Sequence, residues 1–137
     1  MTADLVIASL LRIAMADLAG ARVLAASENR NAIYLLEQAA EKTIRAVLTH
    51  AGIHAGISHH LDEMVAKLPE MNALKTALRR VEHLGAYATS YRYPTSTGRI
   101  RDMPSRQVFD DSAVTVDEVL RQVASALRVE LTPPPTT

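Results

Sequence analysis

Apolar residues recur every three or four positions along four separate stretches of this chain, and that period is the mark of helices with one buried side. In the first stretch Leu5, Ala8, Leu11, Met15, Leu18 and Arg22 follow it, with only the last polar. The spacing predicts a helix from Thr2 or Asp4 to about Ala26. Ala16, Ala19, Gly20 and Ala21 are small enough to admit a neighbouring helix at close range. Ser27, Glu28, Asn29, Arg30 and Asn31 interrupt the period and offer cap residues. A second helix is expected from about Ala32 to Ala51, with Ile33, Leu36, Ala40, Ile44, Val47 and Leu48 facing inward. Glu37, Glu41 and Arg45 lie on its other side, where Glu41 and Arg45 are spaced to pair. Gly52 suits the position just past its end, and residues 53–58 read as a loop.

Ser58 then caps a short third helix, His60 to Leu68, which Pro69 stops. A fourth helix is expected from about Met71 to Tyr91, with Leu74, Leu78, Val81, Leu84, Ala88 and Tyr91 on one face. Pro94 forces Tyr93 out of helical geometry, so this helix ends near Arg92. Residues 93–112 show no period, contain Pro94, Gly98 and Pro104, and read as a long loop. Thr115 and Glu118 match a capping box for a last helix, striped by Val116, Val119, Leu120, Val123 and Leu127. Pro133, Pro134 and Pro135 end regular structure, so residues 1–131 are expected to form one domain and residues 132–137 a disordered tail. No internal repeat and no alternating strand pattern occurs. The expectation is an all-α fold: an antiparallel up-and-down bundle of four main helices plus one short helix.

Composition narrows the function. The 137 residues fit one domain that buries roughly two thirds of its unfolded surface. Without Cys there is neither a disulfide nor a thiolate metal site. Fifteen basic and fifteen acidic residues cancel, which argues against strong non-specific binding to nucleic acid but leaves room for a local basic site. Asp4, Arg12, Asp17 and Arg22 interrupt the apolar N-terminal stretch, so no membrane span and no secretory signal is expected, and the location implied is cytoplasmic.

Three short motifs stand in order along this helical pattern: Gln38-Ala39-Ala40-Glu41-Lys42, His59-His60-Leu61-Asp62 and Arg92-Tyr93-Pro94. Together they resemble the HEPN family of small helical domains, named for nucleotide binding in higher eukaryotes and prokaryotes. The resemblance runs from the second helix through the last. It implies an up-and-down bundle of four main helices, often a homodimer; no cofactor is assigned. It also implies a narrow set of roles: metal-independent ribonuclease, often a toxin; partner of a small nucleotidyltransferase-type protein in toxin–antitoxin-like systems; or nucleotide binder.

The nuclease branch of that family carries an Arg-x(4–6)-His motif near the fourth long helix. There the His serves as general acid or base, and the Arg stabilises charge on phosphorus. Here the last histidine is His83, so none follows Arg92. One literal match exists, Arg45-x4-His50, but it sits in the second helix, and five helical residues turn about 500°, leaving the side chains about 140° apart. The alternative is a surface Arg paired with Glu41 and a His at a helix end. No catalytic residue is therefore assigned.

Arg92, Arg99, Arg101 and Arg106 form the one local basic concentration, opposed only by Asp102 between them. Guanidinium groups match phosphate geometry, and Tyr91 or Tyr93 can stack on a base. The candidate ligand-binding residues are thus Arg92, Tyr91, Tyr93, Arg99 and Arg101, with Glu41 and Lys42 from the signature helix. The opposing reading is a solvated loop whose arginines pair with Asp102, Asp110 and Asp111. For Glu41 and Lys42 three roles stay open: cleft or ligand contacts, solvated helix positions, or a buried ion pair with Arg92. His50, His54, His59 and His60 lack metal-ligand spacing, so no metal is assigned. Nor is there a Gly-rich phosphate loop or a nucleophile elbow. The reading that results is a non-catalytic homodimer binding a nucleotide, an RNA segment or a protein partner, possible partners including a nucleotidyltransferase-type protein. A ribonuclease toxin with a variant site and a purely structural oligomerisation module are the alternatives.

Overall fold

A computed structural model describes residues 2–132. The order of elements is α1 (Thr2–Ala26), α2 (Asn31–His50), α3 (Leu61–Ala66), α4 (Lys75–Arg79), a 3-10 helix (Glu82–Ala86), α5 (Tyr87–Ser90) and α6 (Arg106–Ala126). The described residues contain no strand, so the fold is all-α. None of these helices is long and apolar enough to cross a membrane. The tail expected over 132–137 falls, from residue 133 on, outside the described residues.

Cross-contacts give the helix directions. Gly20 faces Leu35, and Lys42 bonds Asp17, so α2 descends as α1 ascends. Arg12 reaches the Glu130 carbonyl, Arg22 the Asp117 carboxylate, and Arg106 the Ala25 carbonyl, so α6 is also antiparallel to α1. The buried stripe of α1 is Ile7, Leu11, Ala14, Leu18, Ala21 and Ala25. It shares Leu11 and Leu18 with the expected stripe but is rotated from it, and Leu5 is 72% exposed. Of the four small residues of α1, Ala21 is buried and Gly20 packs on Leu35, whereas Ala16 and Ala19 face solvent.

Two of the expected helices are corrected in extent. The fourth helix is not continuous: residues 71–91 break into α4, the 3-10 helix and α5. Leu74, Leu78, Val81, Leu84 and Ala88 are nonetheless buried, as the pattern required. The step of three from Val81 to Leu84 is the repeat of a 3-10 helix. Tightening there brings Gly85 against α3, where an added Cβ would lie 3.2 Å from the Leu61 backbone nitrogen. The last helix begins at Arg106 rather than Thr115. Ser105 caps it, its hydroxyl accepting from the Val108 N–H at 3.2 Å, while Thr115 lies inside the helix and bonds the Asp111 carbonyl. The irregular segment accordingly shortens to residues 91–105. Its tip is a tight turn, closed by Thr95 N–H donating to the Arg99 carbonyl at 2.8 Å and requiring positive φ at Gly98.

Central α2 touches α1, α6 and the broken run, so it is buried on nearly every side. That placement overturns the outward assignment of its acidic stripe: Glu37 and Glu41 are both buried.

Candidate functional site

Arg30, immediately before α2, and Tyr34, Glu37, Glu41 and Arg45 within it fall at steps of three or four, so they form one polar edge along the helix. Two irregular stretches cover this edge. Residues 53–60 lie over its C-terminal end and residues 91–101 over its N-terminal end.

At the N-terminal end the Arg92 guanidinium sits 5.1 Å from the centre of the Tyr34 ring and 5.6 Å from that of Tyr93. A planar cation over two aromatic faces is held in place without an anionic partner. Arg30 donates from Nη1 to the Tyr91 carbonyl at 2.6 Å and from Nη2 to the Arg101 carbonyl at 3.0 Å. Tyr91 packs on Tyr87 with ring centres 4.9 Å apart, and burial foremost raises the Tyr87 hydroxyl above its ordinary pKa. Leu24, Arg30, Asn31, Tyr34, Leu35, Tyr91 and Arg92 line a cavity of about 470 Å³ here. The guanidiniums of Arg99 and Arg101 are exposed and make no hydrogen bond or ion pair among the described residues. Arg106 differs: it bonds Asp110 at 2.8 Å and the Ala25 carbonyl at 3.1 Å, so it closes the end of α1.

At the C-terminal end Glu41 accepts from His59 Nδ1 at 2.7 Å and lies 3.4 Å from Arg45 Nε. Arg45 also donates to the Gly56 carbonyl at 3.1 Å and the Ser58 carbonyl at 2.9 Å. Lys67 takes the neighbouring carbonyls of His54 and Ala55. Two cations thus hold the 53–60 loop by its backbone. Between the two ends Glu37 accepts from the Gln38 side-chain amide at 2.9 Å through one oxygen. Its other oxygen is buried without a partner among the described residues. Burial, with a smaller contribution from the Glu41 charge, raises its pKa to about 7 against the opposing effects of Gln38, His59 and Lys42.

The structure therefore brings Arg92, Tyr91 and Tyr93 together with two residues that the sequence reading did not place among the site residues, Arg30 and Tyr34. Glu41 and Lys42 are separate from them. Seven residues, or roughly 10 Å of helix rise, part Tyr34 from Glu41. The possible Glu41–Arg92 ion pair does not form, because Glu41 is taken by His59 and Arg45. Lys42 turns to Asp17 and Gln38. Arg45 and His50 have different surroundings, since His50, five residues further along α2, lines a cavity with Asp4, Arg12 and Glu130, whereas Arg45 turns to the 53–60 loop. No three of His, Asp and Glu among the described residues gather to hold a metal ion. A further cleft of about 510 Å³ carries His60, Asp62, Arg79, Glu82, His83 and Ser90. One signal could have found Tyr34 and Arg30 earlier: continued backward, the Glu37–Glu41–Arg45 stripe runs straight through both.

The fold and this edge define a small all-helical domain whose motif residues lie along one helix and in the two segments that cover its ends. A family model described as HEPN domain matches residues 7–126, most of the chain. This protein belongs to the HEPN domain family. Neither the curated proteins nor the solved structures contain a match to it.

Proposed function

We propose that this HEPN protein is a non-catalytic homodimer that binds a nucleotide or a segment of RNA at the cavity between the start of α2 and the 91–101 segment. The broken run 71–91 stands in for the fourth helix of the family's bundle. The observation that supports this reading best is the stacked Arg92 guanidinium, held by Tyr34 and Tyr93 and meeting no carboxylate among the described residues, beside the guanidiniums of Arg99 and Arg101, which have no partner there either. Three guanidiniums offer a phosphate charge-assisted bonds, and the tyrosines offer a base a stacking surface. A nucleotidyltransferase-type protein is the proposed partner, on the strength of family membership. The engagement of Arg45 by Glu41, Gly56 and Ser58 supports the non-catalytic part, since the one literal nuclease motif has its Arg occupied.

Titration of ATP and of a short single-stranded RNA into wild type and Arg92→Ala tests the reading. Loss of one charge-assisted contact and one stacking edge predicts roughly a tenfold weaker affinity in the variant. Equal, negligible binding by both proteins refutes it.

A further inference from the structure

We infer that Arg30 is the positioning residue of this ligand surface: a single guanidinium that fastens both limbs of the arginine-bearing segment to the start of α2. The inference rests on the reading just given for the cavity, and it adds a residue to which no part of that reading assigns a role. Nη1 and Nη2 donate to the carbonyls of Tyr91 and Arg101, at 2.6 and 3.0 Å. Those carbonyls are ten residues apart in sequence and flank Arg92 and Arg99. Between the two anchor points the backbone hydrogen bonds among the described residues are those of its own turn, through Thr95, Gly98 and Arg99. The side chains of Arg99 and Arg101 take no part in holding it. The planar fork suits this task because its two terminal nitrogens point in fixed directions. An ammonium has no such geometry and would serve one limb well at the expense of the other.

The consequence is specific. Arg30 is half-buried and spends two of its donors on backbone, so it acts through the segment rather than on the ligand. With the clamp intact, Arg92 stays over Tyr34 while the guanidiniums of Arg99 and Arg101 are presented on a fixed backbone. Without it, the limb that carries Arg99 and Arg101 is released, whereas Arg92 keeps its own aromatic contacts. Ligand binding should then weaken through lost preorganisation, with the helices undisturbed.

The full chain as wild type, Arg30→Lys and Arg30→Met provides the test, with three readouts on each. The first is the rate of tryptic cleavage after Arg99 and Arg101 under native conditions. The second is affinity for ATP and for a short single-stranded RNA. The third is the thermal midpoint. Arg30→Met is expected to raise cleavage at both sites roughly tenfold, the equivalent of about 1.4 kcal/mol in local opening. Arg30→Lys is expected to fall between it and wild type, and affinity to decline in the same order while the thermal midpoint holds. Unchanged cleavage in Arg30→Met overturns the clamp. Faster cleavage with unchanged affinity overturns its positioning role. If wild type binds neither probe, the ligand reading fails, and the cleavage rates alone decide whether Arg30 holds the segment.

Discussion

Replacing Glu37 by Gln should stabilise the protein, and by an amount that depends on pH. Glu37 is fully buried, one of its oxygens has no partner among the described residues, and its pKa is raised from 4.5 to about 7. A carboxyl with a raised pKa binds its proton more tightly in the folded chain than in the unfolded one. Stability is therefore greatest below the unfolded value and is lost as pH climbs through the folded value. Every tenfold gain in proton affinity on folding is worth about 1.4 kcal/mol, so the loss between about pH 4.5 and pH 7 amounts to about 3 kcal/mol. Gln removes the ionisation, retains an oxygen to accept the Gln38 amide, and matches the protonated acid in shape. The variant should exceed wild type by under about 1 kcal/mol at pH 5 and by about 3 kcal/mol at pH 8. For a chain of this length that is roughly a 10 °C gap in thermal midpoint at pH 8. Thermal unfolding followed by circular dichroism at pH 5, 6, 7 and 8 measures it. A gap of constant size across that range refutes the reasoning, because a lost packing or hydrogen-bond contact would not track protonation.

Other outcomes follow from the same contacts. Gly85→Ala should destabilise by about 1 kcal/mol or more in denaturant unfolding, because the new methyl meets the Leu61 backbone at 3.2 Å and backbone yields poorly. Arg45→Met should speed amide exchange across residues 53–60 and cost about 1–3 kcal/mol, since it strands the Gly56 and Ser58 carbonyls and leaves buried Glu41 with His59 alone. If Arg92, Arg99 and Arg101 each meet a phosphate of single-stranded RNA, a plot of log affinity against log salt should have a slope of about −2. A slope near zero would exclude that mode of contact. Solution mass at micromolar concentration should correspond to a dimer, and a strict monomer would remove the homodimer from the proposal.

The helical class, the ends of α1 and the inner face of α2 were legible in the order of residues. Ile33, Leu36, Ala40, Ile44, Val47 and Leu48 are buried as their spacing required. Periodicity alone could not select the buried side of α1, because that helix is rich in Ala and apolar around most of its circumference, and only its neighbours choose between stripes. The early start of α6 is hidden from the periodicity for a related reason. Asp110, Asp111 and Ser112 look like loop, yet in the fold they are the solvent side of a helix whose other side carries buried Phe109 and Ala113.

For the candidate site, local sequence sufficed to mark the Arg-Tyr-Pro corner as a concentration of cations beside aromatic rings. It was silent on which charges remain available. Arg99, Arg101 and Arg106 are equivalent in the sequence, but Arg106 closes a helix end some eighty residues upstream, whereas Arg99 and Arg101 meet no anion among the described residues. Glu37 and Glu41 fall on the polar side of α2 in the sequence, yet both are buried, Glu41 beneath His59 of the 53–60 loop. Helical period is a property of near neighbours along the chain, so composition and spacing encode it directly. Burial, pairing and the freedom of a guanidinium depend on what distant segments bring alongside, and only tertiary packing decides that.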